Sequence, residues 1–596
     1  MSDDGLVKRL RAWWSGREGF TFEAAFATVT LALASPLLAS RHVPLQDLPQ
    51  HMAATAVLRR LIFSGELDAL YTLSLSRTQY LDVYALAVPL SAVVGVENAL
   101  KLVAAGVVVA IPYALRAVLR RTGRDPRLAA LSWPILWNPQ MLLGFLNFLL
   151  GVPLALSALA LLAQRDVRRT RRAQGILAVL ALGTFYAHLI PYGMLGLGAL
   201  LLLDVDALRD EGRPLAERVR SFARDALRDL GFLIPSLVAT AVWMLRTPAN
   251  DASVRAGGVG VSAHPEWPAF ASLPRELSGV LLDLPGERDE RALLLWGAAV
   301  LAALAAGVGA SSTARAPRAS RGPVVAAVAC AAVYLLRHRT FAWVWGLDTP
   351  AEATWGEIGV HAACVAALGA LVAGAAPARE EPAWAPAPAR LAWLPLLCGA
   401  LYGVAPASYG WIWPIHTRFA VAAALIVPLT VGARAGGLAV RAVVLLSAVA
   451  ALGLTDDLGR RFARWEQNEL GDLDDALAHA RPRAKLLALL RPQQSAEVPN
   501  VPTLHAAAYY QVRGGDVATF SFADFPQSPF RFRDDGPRPP RLRPRWEWEA
   551  DLDAADPAHR YYDYVLCRRG HEQPARDPDR YARIFDGRDW VLFQRR

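Results

Sequence analysis

The chain has little charge and almost no lysine. Charged residues make up 19% of its 596 residues, whereas 54% of the residues are hydrophobic. A soluble protein carries about 25% charge, so this composition excludes an ordinary soluble protein. The abundance of apolar side chains also excludes disorder over most of the length. The composition therefore indicates a polytopic membrane protein with soluble portions.

Lysine is confined to Lys8, Lys101 and Lys485, so the formal net charge of +10 depends on arginine. In so apolar a chain, basic residues report the orientation of the loops and attract anionic lipid headgroups. We therefore expect membrane lipid to be a partner and expect no binding of nucleic acid.

Cysteine and the common catalytic motifs are also scarce. The four cysteines show no C-x-x-C spacing, so neither a metal site nor a disulfide framework is indicated. The chain contains no G-x-x-x-x-G-K-S/T phosphate loop, no H-E-x-x-H, no G-x-S-x-G and no Rossmann glycine fingerprint. Nucleotide hydrolysis therefore has no support, which argues against an ATP-driven pump.

Long apolar runs are what the sequence has in abundance. The run 22–39 follows a basic segment and precedes no cleavage site, which predicts a first transmembrane helix with its N-terminus in the cytoplasm. Placing the other basic loops inside as well predicts thirteen spans in the cell inner (plasma) membrane, outer loops at 41–80 and 247–290, and an extracytoplasmic C-terminus. The predicted spans are 22–39, 99–119, 128–141, 142–163, 175–187, 189–203, 229–246, 291–309, 322–336, 357–376, 391–406, 417–432 and 437–454.

Segment 82–95 is apolar but is not among these spans. It is short, begins at Asp82 and contains Pro89, and counting it would place the basic loop 116–127 outside. We predict that it does not cross the membrane. Irregular backbone at membrane depth must be covered by protein or by a water-filled cavity, so this segment suggests a nearby site.

Residues 1–455 are predicted to form the transmembrane domain, and residues 456–596 a small extracytoplasmic α/β domain. The second region is charged and proline-rich and has no spanning run. An amphipathic pattern predicts a helix over 457–480. A short apolar run covers 485–490, and strands are predicted over 517–522, 562–567 and 590–594. The predicted fold class is thus an all-α polytopic membrane protein with a small C-terminal α/β domain.

The most informative polar residues follow the first span directly. Asp47 and His51 are four residues apart, so they share one face of a helix. Residues 50–63 have an amphipathic pattern suited to the membrane interface. Asp47 also stands two residues before Pro49, where an aspartate commonly caps a helix. The capping and catalytic interpretations are compatible, because a carboxylate at a helix start stays ionised.

Two further ionisable residues stand near the predicted outer ends of spans. His188 lies in an apolar turn, and it is either a buried hydrogen-bonding residue or a functional one. Arg418 follows Trp413 and His416. It is either a snorkelling arginine in an aromatic belt or an arginine that holds a phosphate through paired hydrogen bonds. The sequence leaves both pairs of alternatives open.

The predicted architecture resembles the GT-C superfamily of membrane glycosyltransferases. It has a first span, an outer loop with an acidic residue and an interfacial helix, about a dozen spans in all and a C-terminal domain. The closest resemblance is to the protein mannosyltransferase and aminoarabinose transferase type. It covers the whole chain as architecture, and its local motif is a few residues around Asp47. It implies a glycosyltransferase that moves a sugar from a polyprenyl-phosphate-linked donor to an extracytoplasmic acceptor, which is a glycan, a lipid or a protein.

The resemblance also implies roles for individual residues. Asp47 would be the catalytic residue, acting as general base on the acceptor hydroxyl. Arg418 or Arg41 would bind the donor phosphate and stabilise charge on the leaving group, with His51 and His188 as supporting residues. The first outer loop, 41–80, lacks the Asp-Glu or Asp-x-Asp pair of the superfamily, and the chain lacks its His-Pro-Pro-Leu segment. No metal ligand is therefore assigned, and a requirement for a divalent cation stays open.

Two other classes of function stay open. A flippase for lipid-linked sugars or a secondary transporter would place its polar residues at mid-depth, in paired broken helices. The candidate residues of this chain gather at one membrane face, which favours an enzyme. The remaining alternative is a catalytically inactive scaffold, since fold does not imply function. An enzyme requires an acidic residue that opens into a cavity with lateral access to lipid.

Overall fold

The structure, a computed structural model, describes part of the chain. It describes residues 21–596 except 211, 247–261, 269–272, 283–290, 293, 301–389, 411, 432–436, 491–493, 526, 541, 543–545, 547 and 553–556. The predicted spans 322–336 and 357–376 lie outside the described residues, as does much of the outer loop 247–290.

The membrane region is helical. Among the described residues, three stretches are long and apolar enough to cross a membrane, namely Val96–Arg121, Leu215–Arg246 and Val440–Leu470, and shorter apolar helices accompany them. These helices support the prediction of a membrane protein. The principal helices are α1 (Thr21–Ala32), α2 (Leu48–Phe63), α3 (Asp82–Val94), α4 (Val96–Arg121), α5 (Leu146–Leu162), α6 (Arg171–Ala187), α7 (Leu189–Leu201), α8 (Leu215–Leu230), α9 (Ile234–Arg246), α10 (Leu273–Leu281), α11 (Trp393–Val404), α12 (His416–Ile426), α13 (Gly437–Trp465) and α14 (Leu473–Ala478).

Helices α3 and α4 are separated by Gly95, whose φ of 80° breaks the helix between them. Helix α3 has 13 residues and contains Pro89. At about 1.5 Å per residue it is about 20 Å long, which is shorter than the roughly 30 Å hydrocarbon core of a bilayer. Helix α4 has 26 residues and ends with Arg120 and Arg121. Helix α4 is therefore long enough to cross a bilayer, and the expectation that segment 82–95 does not cross it stays a prediction.

The prediction of a spanning α-helix over 128–141 is wrong. Residues Pro126–Ile135 form 3₁₀ turns, and only the four residues Pro139–Leu142 after them are α-helical. The stretch is nevertheless buried, with Trp133 and Trp137 each 1% exposed. Its apolar composition reflects burial among other helices. This segment, one of the thirteen predicted spans, is therefore not a spanning α-helix.

The predicted tight turn around His188 is confirmed. Helix α6 ends at Ala187 and helix α7 begins at Leu189. His188 between them is extended, with φ −170° and ψ 142°, and its Nδ1 accepts a hydrogen bond from the backbone N–H of Ile190. The side chain therefore takes the N-cap role for α7, which fixes the ring at the turn.

Helix α13 runs through residue 455, where the two predicted domains were expected to meet. A π-helical turn at Glu466–Leu470 and Gly471, with a φ of 62°, separate it from α14. The helix predicted over 457–480 is therefore the end of α13, a break and α14. The membrane region and the C-terminal region share a continuous helix.

The C-terminal region contains a five-stranded mixed sheet with the strand order β5-β4-β7-β9-β8. The described strands are β1 (Tyr71–Leu73), β2 (Ser262–Glu266), β3 (Ser408–Gly410), β4 (Lys485–Leu489), β5 (Val517–Ala518), β6 (Phe530–Phe532), β7 (Tyr564–Arg568), β8 (Tyr581–Asp586) and β9 (Trp590–Arg595). Strand β4 is parallel to β5 and β7, whereas β9 is antiparallel to β7 and β8. The apolar run 485–490 and the three predicted strand regions all contribute strands. Strand β8 was missed because it is half-exposed and mixes charged with apolar residues.

The first outer loop packs against this C-terminal region. Strand β1 of the loop pairs antiparallel with β6, and Tyr71 lies opposite Phe532. One hydrophobic cluster contains Leu58 and Tyr71 from the loop together with Val565 and Phe593 from the sheet. The loop and the C-terminal region therefore share a core, and residues at their boundary are held in place from both sides.

Candidate active site between the first outer loop and the C-terminal region

A cavity of about 300 Å³ lies where the first outer loop, the turn between α6 and α7, the start of α12 and the C-terminal region meet. Asp47 is the one acidic residue among the described residues that line it. The polar lining residues are Gln46, Asp47, His51, Asn147, His188, Arg418, His505, Gln527 and Ser528, and the aromatic ones are Tyr80, Tyr84, Phe145, Phe148, Trp413, Phe520, Phe522, Phe525 and Trp548.

Asp47 directly precedes α2, but its side chain makes no capping hydrogen bond. Its backbone N–H instead donates to the carbonyl of Leu143, at 3.0 Å. Gly144 follows with a φ of 80°, and a Cβ there would lie 3.0 Å from the backbone nitrogen of Asp47. A side chain at this position would therefore push Asp47 away. Its carboxylate is 19% exposed and is not held by helix capping, so it is available to the cavity.

His51 lies one helical turn after Asp47 and faces the same cavity. Its Nδ1 is 2.9 Å from the hydroxyl of Tyr84, and its ring packs edge-on against Phe522 at 5.3 Å. Burial lowers the pKa of His51 to about 4, although the negative charge of Asp47 acts in the opposite direction. His51 is therefore neutral near pH 7, and it lines the cavity without adding positive charge.

Arg418 in α12 is only 5% exposed, so it does not snorkel to a membrane surface. Its Nη1 is 2.8 Å from His188 Nε2, its Nη2 donates to the carbonyl of Trp413, and its Cζ lies 4.6 Å from the ring centre of Phe145. Its Nε is buried and has no hydrogen-bond partner among the described residues. Within that part of the chain the guanidinium forms no ion pair, so its charge is not neutralised by a contacting carboxylate.

His188 holds Arg418 in position. Its ring stacks on Tyr80 with centroids 5.5 Å apart and meets Phe148 edge-on at 5.6 Å. Both ring nitrogens face donors, Nε2 the guanidinium and Nδ1 the N–H of Ile190. The ring is thus held at the start of α7 and touches the guanidinium with its other edge, so His188 supports the position of Arg418.

Arg41, the other predicted phosphate ligand, does not line the cavity. It is 2.7 Å from Asp474 and 3.2 Å from Glu97 in ion pairs at the other side of the loop. Its charge is therefore compensated, and its side chain is committed to holding the loop against the C-terminal region. We therefore propose no phosphate-binding role for Arg41.

Sequence reasoning missed His505, which enters the cavity from the C-terminal region. Its Nε2 lies 3.3 Å from the carboxylate of Asp47, and its ring stacks on Phe520 at 4.6 Å. Nothing in the sequence marks this lone histidine, because it lies far from Asp47 in the chain and belongs to no motif or periodic element. Only the folded chain brings the two side chains together.

A second cavity of about 360 Å³ is lined by apolar residues only, from α5, α7, α11 and α12. It shares Phe148 with the first cavity. Leu189 and Phe419 in its wall directly follow His188 and Arg418 in the chain. The polar and apolar cavities therefore adjoin at the residues that surround the buried guanidinium.

No cluster of three or more His, Cys, Asp or Glu side chains able to hold a metal ion occurs among the described residues. The acidic residue and the three histidines of the first cavity thus do not form a metal-ligating group, and no metal ligand is assigned here.

Comparisons with known proteins give a distant structural likeness. No family model and no curated protein matches the chain. It is similar to the crystal structure of ArnT from Cupriavidus metallidurans in the apo state, with 14% identity, 97% of this chain and 98% of that chain covered, and a TM-score of 0.43. It is also similar to ArnT from the same organism bound to undecaprenyl phosphate, with 13% identity, 96% and 98% coverage and a TM-score of 0.43. A likeness of this degree assigns neither a family nor an activity to this chain.

Proposed function

We propose that this protein is a membrane glycosyltransferase that moves a sugar from a polyprenyl-phosphate-linked donor to an acceptor hydroxyl outside the cytoplasm. The observation that carries the proposal is the buried Arg418, which has no ion pair among the described residues and lines one cavity with Asp47. A charge buried without a partner is costly, so such a guanidinium indicates that an anionic ligand binds there.

The chemistry of that ligand follows from the donors. An arginine presents a planar fork of N–H groups that matches a phosphate better than a lysine does. Arg418 directs donors toward His188 and the carbonyl of Trp413, and its Nε has no partner in the described part of the chain. Neither partner is negatively charged when His188 is neutral, so a phosphate would compete well for the guanidinium. Charge-assisted hydrogen bonds of this kind are about twice as strong as neutral ones.

The reaction proposed for Asp47 is general-base catalysis. Its carboxylate takes the proton of the acceptor hydroxyl while the hydroxyl oxygen attacks the anomeric carbon. The bond between the anomeric carbon and the phosphate oxygen breaks, and the electron pair leaves with the polyprenyl phosphate. Arg418 stabilises the charge that grows on this leaving group. The product carries the sugar on the acceptor oxygen.

The apolar cavity supports a lipid donor over a nucleotide sugar. Among the described residues, its wall of α5, α7, α11 and α12 side chains holds no charged, amide or hydroxyl group that could bind a base or a ribose. It adjoins the proposed phosphate position at Phe148. An isoprenoid chain fits such a lining because the chain has no polar group that would be left without a hydrogen bond there. The acceptor remains a glycan, a lipid or a protein.

The proposed location is the cell inner (plasma) membrane, with the protein crossing it several times, the N-terminus in the cytoplasm and the C-terminus outside. The support is the set of apolar helices and the basic loops between them. In this orientation the first outer loop, the cavity and the sheet of the C-terminal region face the extracytoplasmic side, where a flipped lipid-linked donor is presented.

Lipid that co-purifies with the protein provides the first test. We expect mass analysis of the extracted lipid to detect polyprenyl phosphate, and we expect an Arg418→Leu variant of equal stability to lose it. A matched control is Arg41→Leu, which removes an arginine that does not line the cavity. Equal amounts of polyprenyl phosphate in all three proteins would remove Arg418 from the proposed site.

A second test separates a transferase from a transporter. Incubation with a polyprenyl-phosphate-linked sugar and an extracytoplasmic extract should release polyprenyl phosphate and form a glycosylated acceptor. A flippase or a secondary transporter would instead move the intact lipid-linked sugar across sealed vesicles without release. Movement without release would contradict the proposed function.

A further inference from the structure

We propose that His505, supplied by the C-terminal region, is a positioning residue that orients the carboxylate of Asp47 for proton abstraction. This inference rests on the proposed function, because it concerns the same reaction. It assigns to the C-terminal region a direct part in the active site, in addition to any role in binding the acceptor.

The contact between the two side chains is the first support. Nε2 of His505 lies 3.3 Å from a carboxylate oxygen of Asp47, and the histidine side chain is 4% exposed. Its other ring nitrogen, Nδ1, is buried and has no hydrogen-bond partner among the described residues. A neutral imidazole carries one N–H, and the proton is stabilised on the nitrogen beside the carboxylate. Nε2 of His505 thus faces one oxygen of Asp47 at 3.3 Å, a contact that tightens into an N–H···O bond when substrate binds.

The ring of His505 is itself fixed from behind. Phe520 stacks on it with centroids 4.6 Å apart and planes inclined by 10°. Phe520 has a φ of 56°, which is rare for a bulky residue. Its carbonyl accepts a hydrogen bond from Gln50 of α2. A strained backbone position persists only where the surrounding contacts over-determine it, and here it places the stacking ring beside the cavity.

The segment that carries His505 is also tied to the loop that carries Asp47. The side-chain amide of Asn500 donates to the carbonyls of Pro44 and Leu142, at 3.0 and 2.9 Å. The carbonyl of Leu142 also accepts from the backbone N–H of Gln46, whose side chain in turn accepts from Val501 at 3.1 Å. These bonds fix the backbones on both sides of the contact, so the 3.3 Å approach is built into the fold.

The chemical consequence is orientation of the base. A donor held on one carboxylate oxygen stops the group from rotating freely and leaves the other oxygen for the acceptor hydroxyl. His505 does not touch the substrate in this scheme, and its effect on rate operates through Asp47.

Substitutions that keep or move the donor test this role. His505→Gln places an amide N–H near the position of Nε2, whereas His505→Asn carries the same amide on a side chain that is one carbon shorter. His505→Phe keeps a ring to stack on Phe520 and removes the donor. His479→Phe is the matched control, because His479 is an exposed histidine of the same region.

We expect His505→Phe and His505→Asn to reduce kcat by about ten- to a hundredfold, because a misplaced catalytic group loses much of its effectiveness. We expect kcat of His505→Gln to stay within about threefold of the wild-type value, since the glutamine amide leaves a donor beside Asp47. We expect kcat of His479→Phe to match the wild-type value, since His505 itself is unchanged. His505→Gln should restore the kcat that His505→Phe and His505→Asn lose, with KM for the donor unchanged in all three, because His505 does not touch the substrate. A structural role alone would lower the yield of folded protein and leave kcat per folded molecule unchanged.

Three results would overturn the inference in different ways. A wild-type kcat in both His505→Phe and His505→Asn, with Asp47→Asn inactive, would remove His505 and leave the proposed function intact. Full activity of Asp47→Asn would overturn the proposed function together with the positioning role. Thermal unfolding of the two single variants and the double variant Asp47→Asn, His505→Phe supplies a readout that needs no activity, and strictly additive shifts in the midpoint would show that the contact does not form.

Discussion

The first outer loop meets the C-terminal region at two groups of charged residues that behave in opposite ways. Around Arg41 and His42, every charge has a partner: Arg41 pairs with Glu97 and Asp474, and His42 lies 3.0 Å from Glu466 and 3.3 Å from Asp474. This is the paired cluster. A few residues later, Asp47 and Arg418 line a common cavity and form no ion pair with each other.

The difference distinguishes a structural contact between two parts of the chain from a ligand-binding site. The paired cluster neutralises its own charge, so it can hold two parts of the chain together without any ligand. In the cavity the guanidinium is surrounded by neutral groups, and the carboxylate contacts a histidine. Arg418 has no contacting carboxylate among the described residues, so its buried charge is compensated only when an anion binds. The cavity therefore marks the functional part of the interface.

Exchanging a carboxylate in each group should give the largest contrast. Asp47→Asn removes the proposed base and should reduce sugar transfer by about 10²- to 10⁴-fold, the usual contribution of a general base. It should fold normally, because the side chain makes no capping hydrogen bond to lose. Asp474→Asn in the paired cluster should keep transfer within a few-fold and lower thermal stability instead. Transfer rates and unfolding midpoints of the two purified variants check this, and full transfer by Asp47→Asn would erase the distinction.

Exchanging an arginine for lysine in each group comes next. Arg418→Lys keeps the charge but loses the planar fork. Losing one charge-assisted contact costs about 1.5–3 kcal/mol, or roughly ten- to a hundredfold in turnover. Arg41→Lys should keep the transfer rate within about twofold of the wild-type rate, because this exposed residue does not line the cavity. Rates measured under saturating acceptor decide the matter, and a near wild-type rate in Arg418→Lys would argue that the arginine is structural.

A third contrast concerns the backbone that positions Asp47. Gly144→Ala introduces a Cβ that would lie 3.0 Å from the backbone nitrogen of Asp47, whereas Gly123→Ala has a similar φ of 73° and no atom within 4 Å. Both variants carry the strain of a left-handed residue, about 1–2 kcal/mol. Only Gly144→Ala should displace Asp47, which we expect to lower transfer by about tenfold. Equal rates at equal stability in the two variants would show that the close approach does not matter.

The smallest expected effect is the pH dependence of the paired cluster. Burial lowers the pKa of His42, but its contacts with Asp474 and Glu466 outweigh burial, and the net shift is upward from 6.5. Burial would raise the pKa of Asp474, but His42, Arg513 and Arg41 lower it to about 2. Tyr509 also packs against the ring of His42. Each shift stabilises the charged form of its group, so the charged pair is favoured by folding.

The sign of each effect sets the pH window. A raised histidine pKa gives stability that is complete below about pH 6.5 and is lost as the pH rises through the folded value. A lowered aspartate pKa gives stability that is present above about pH 3.8 and is lost toward pH 2. The unfolding midpoint of His42→Gln should therefore fall below wild type by about 2 °C between pH 4 and 6.5, and the gap should narrow at higher pH. A gap that widened above pH 7 would contradict this account, and transfer should be unaffected throughout.

How far the sequence could predict the fold depended on the type of signal. The turn at His188 was predictable because two apolar runs flank one polar residue, and the strands at 485–490 and 590–594 are buried runs bounded by polar residues. The span predicted over residues 128–141 was wrong because a hydrophobic run indicates removal from water and does not distinguish a bilayer from a protein interior. The break between α13 and α14 depends on Gly471, whose positive φ gives no signal in an amphipathic pattern.

The sequence by itself determined that the chain is an apolar, arginine-rich membrane protein in which Asp47 follows the first span and Arg418 begins a later helix. Composition and local periodicity are properties of neighbouring residues, so they can be read without the fold. Only the tertiary structure decided that Asp47 and Arg418 line one cavity, that Arg41 is engaged in ion pairs, and that His505 contacts Asp47. Those relations join residues hundreds of positions apart, and burial and charge compensation exist only once the chain has packed.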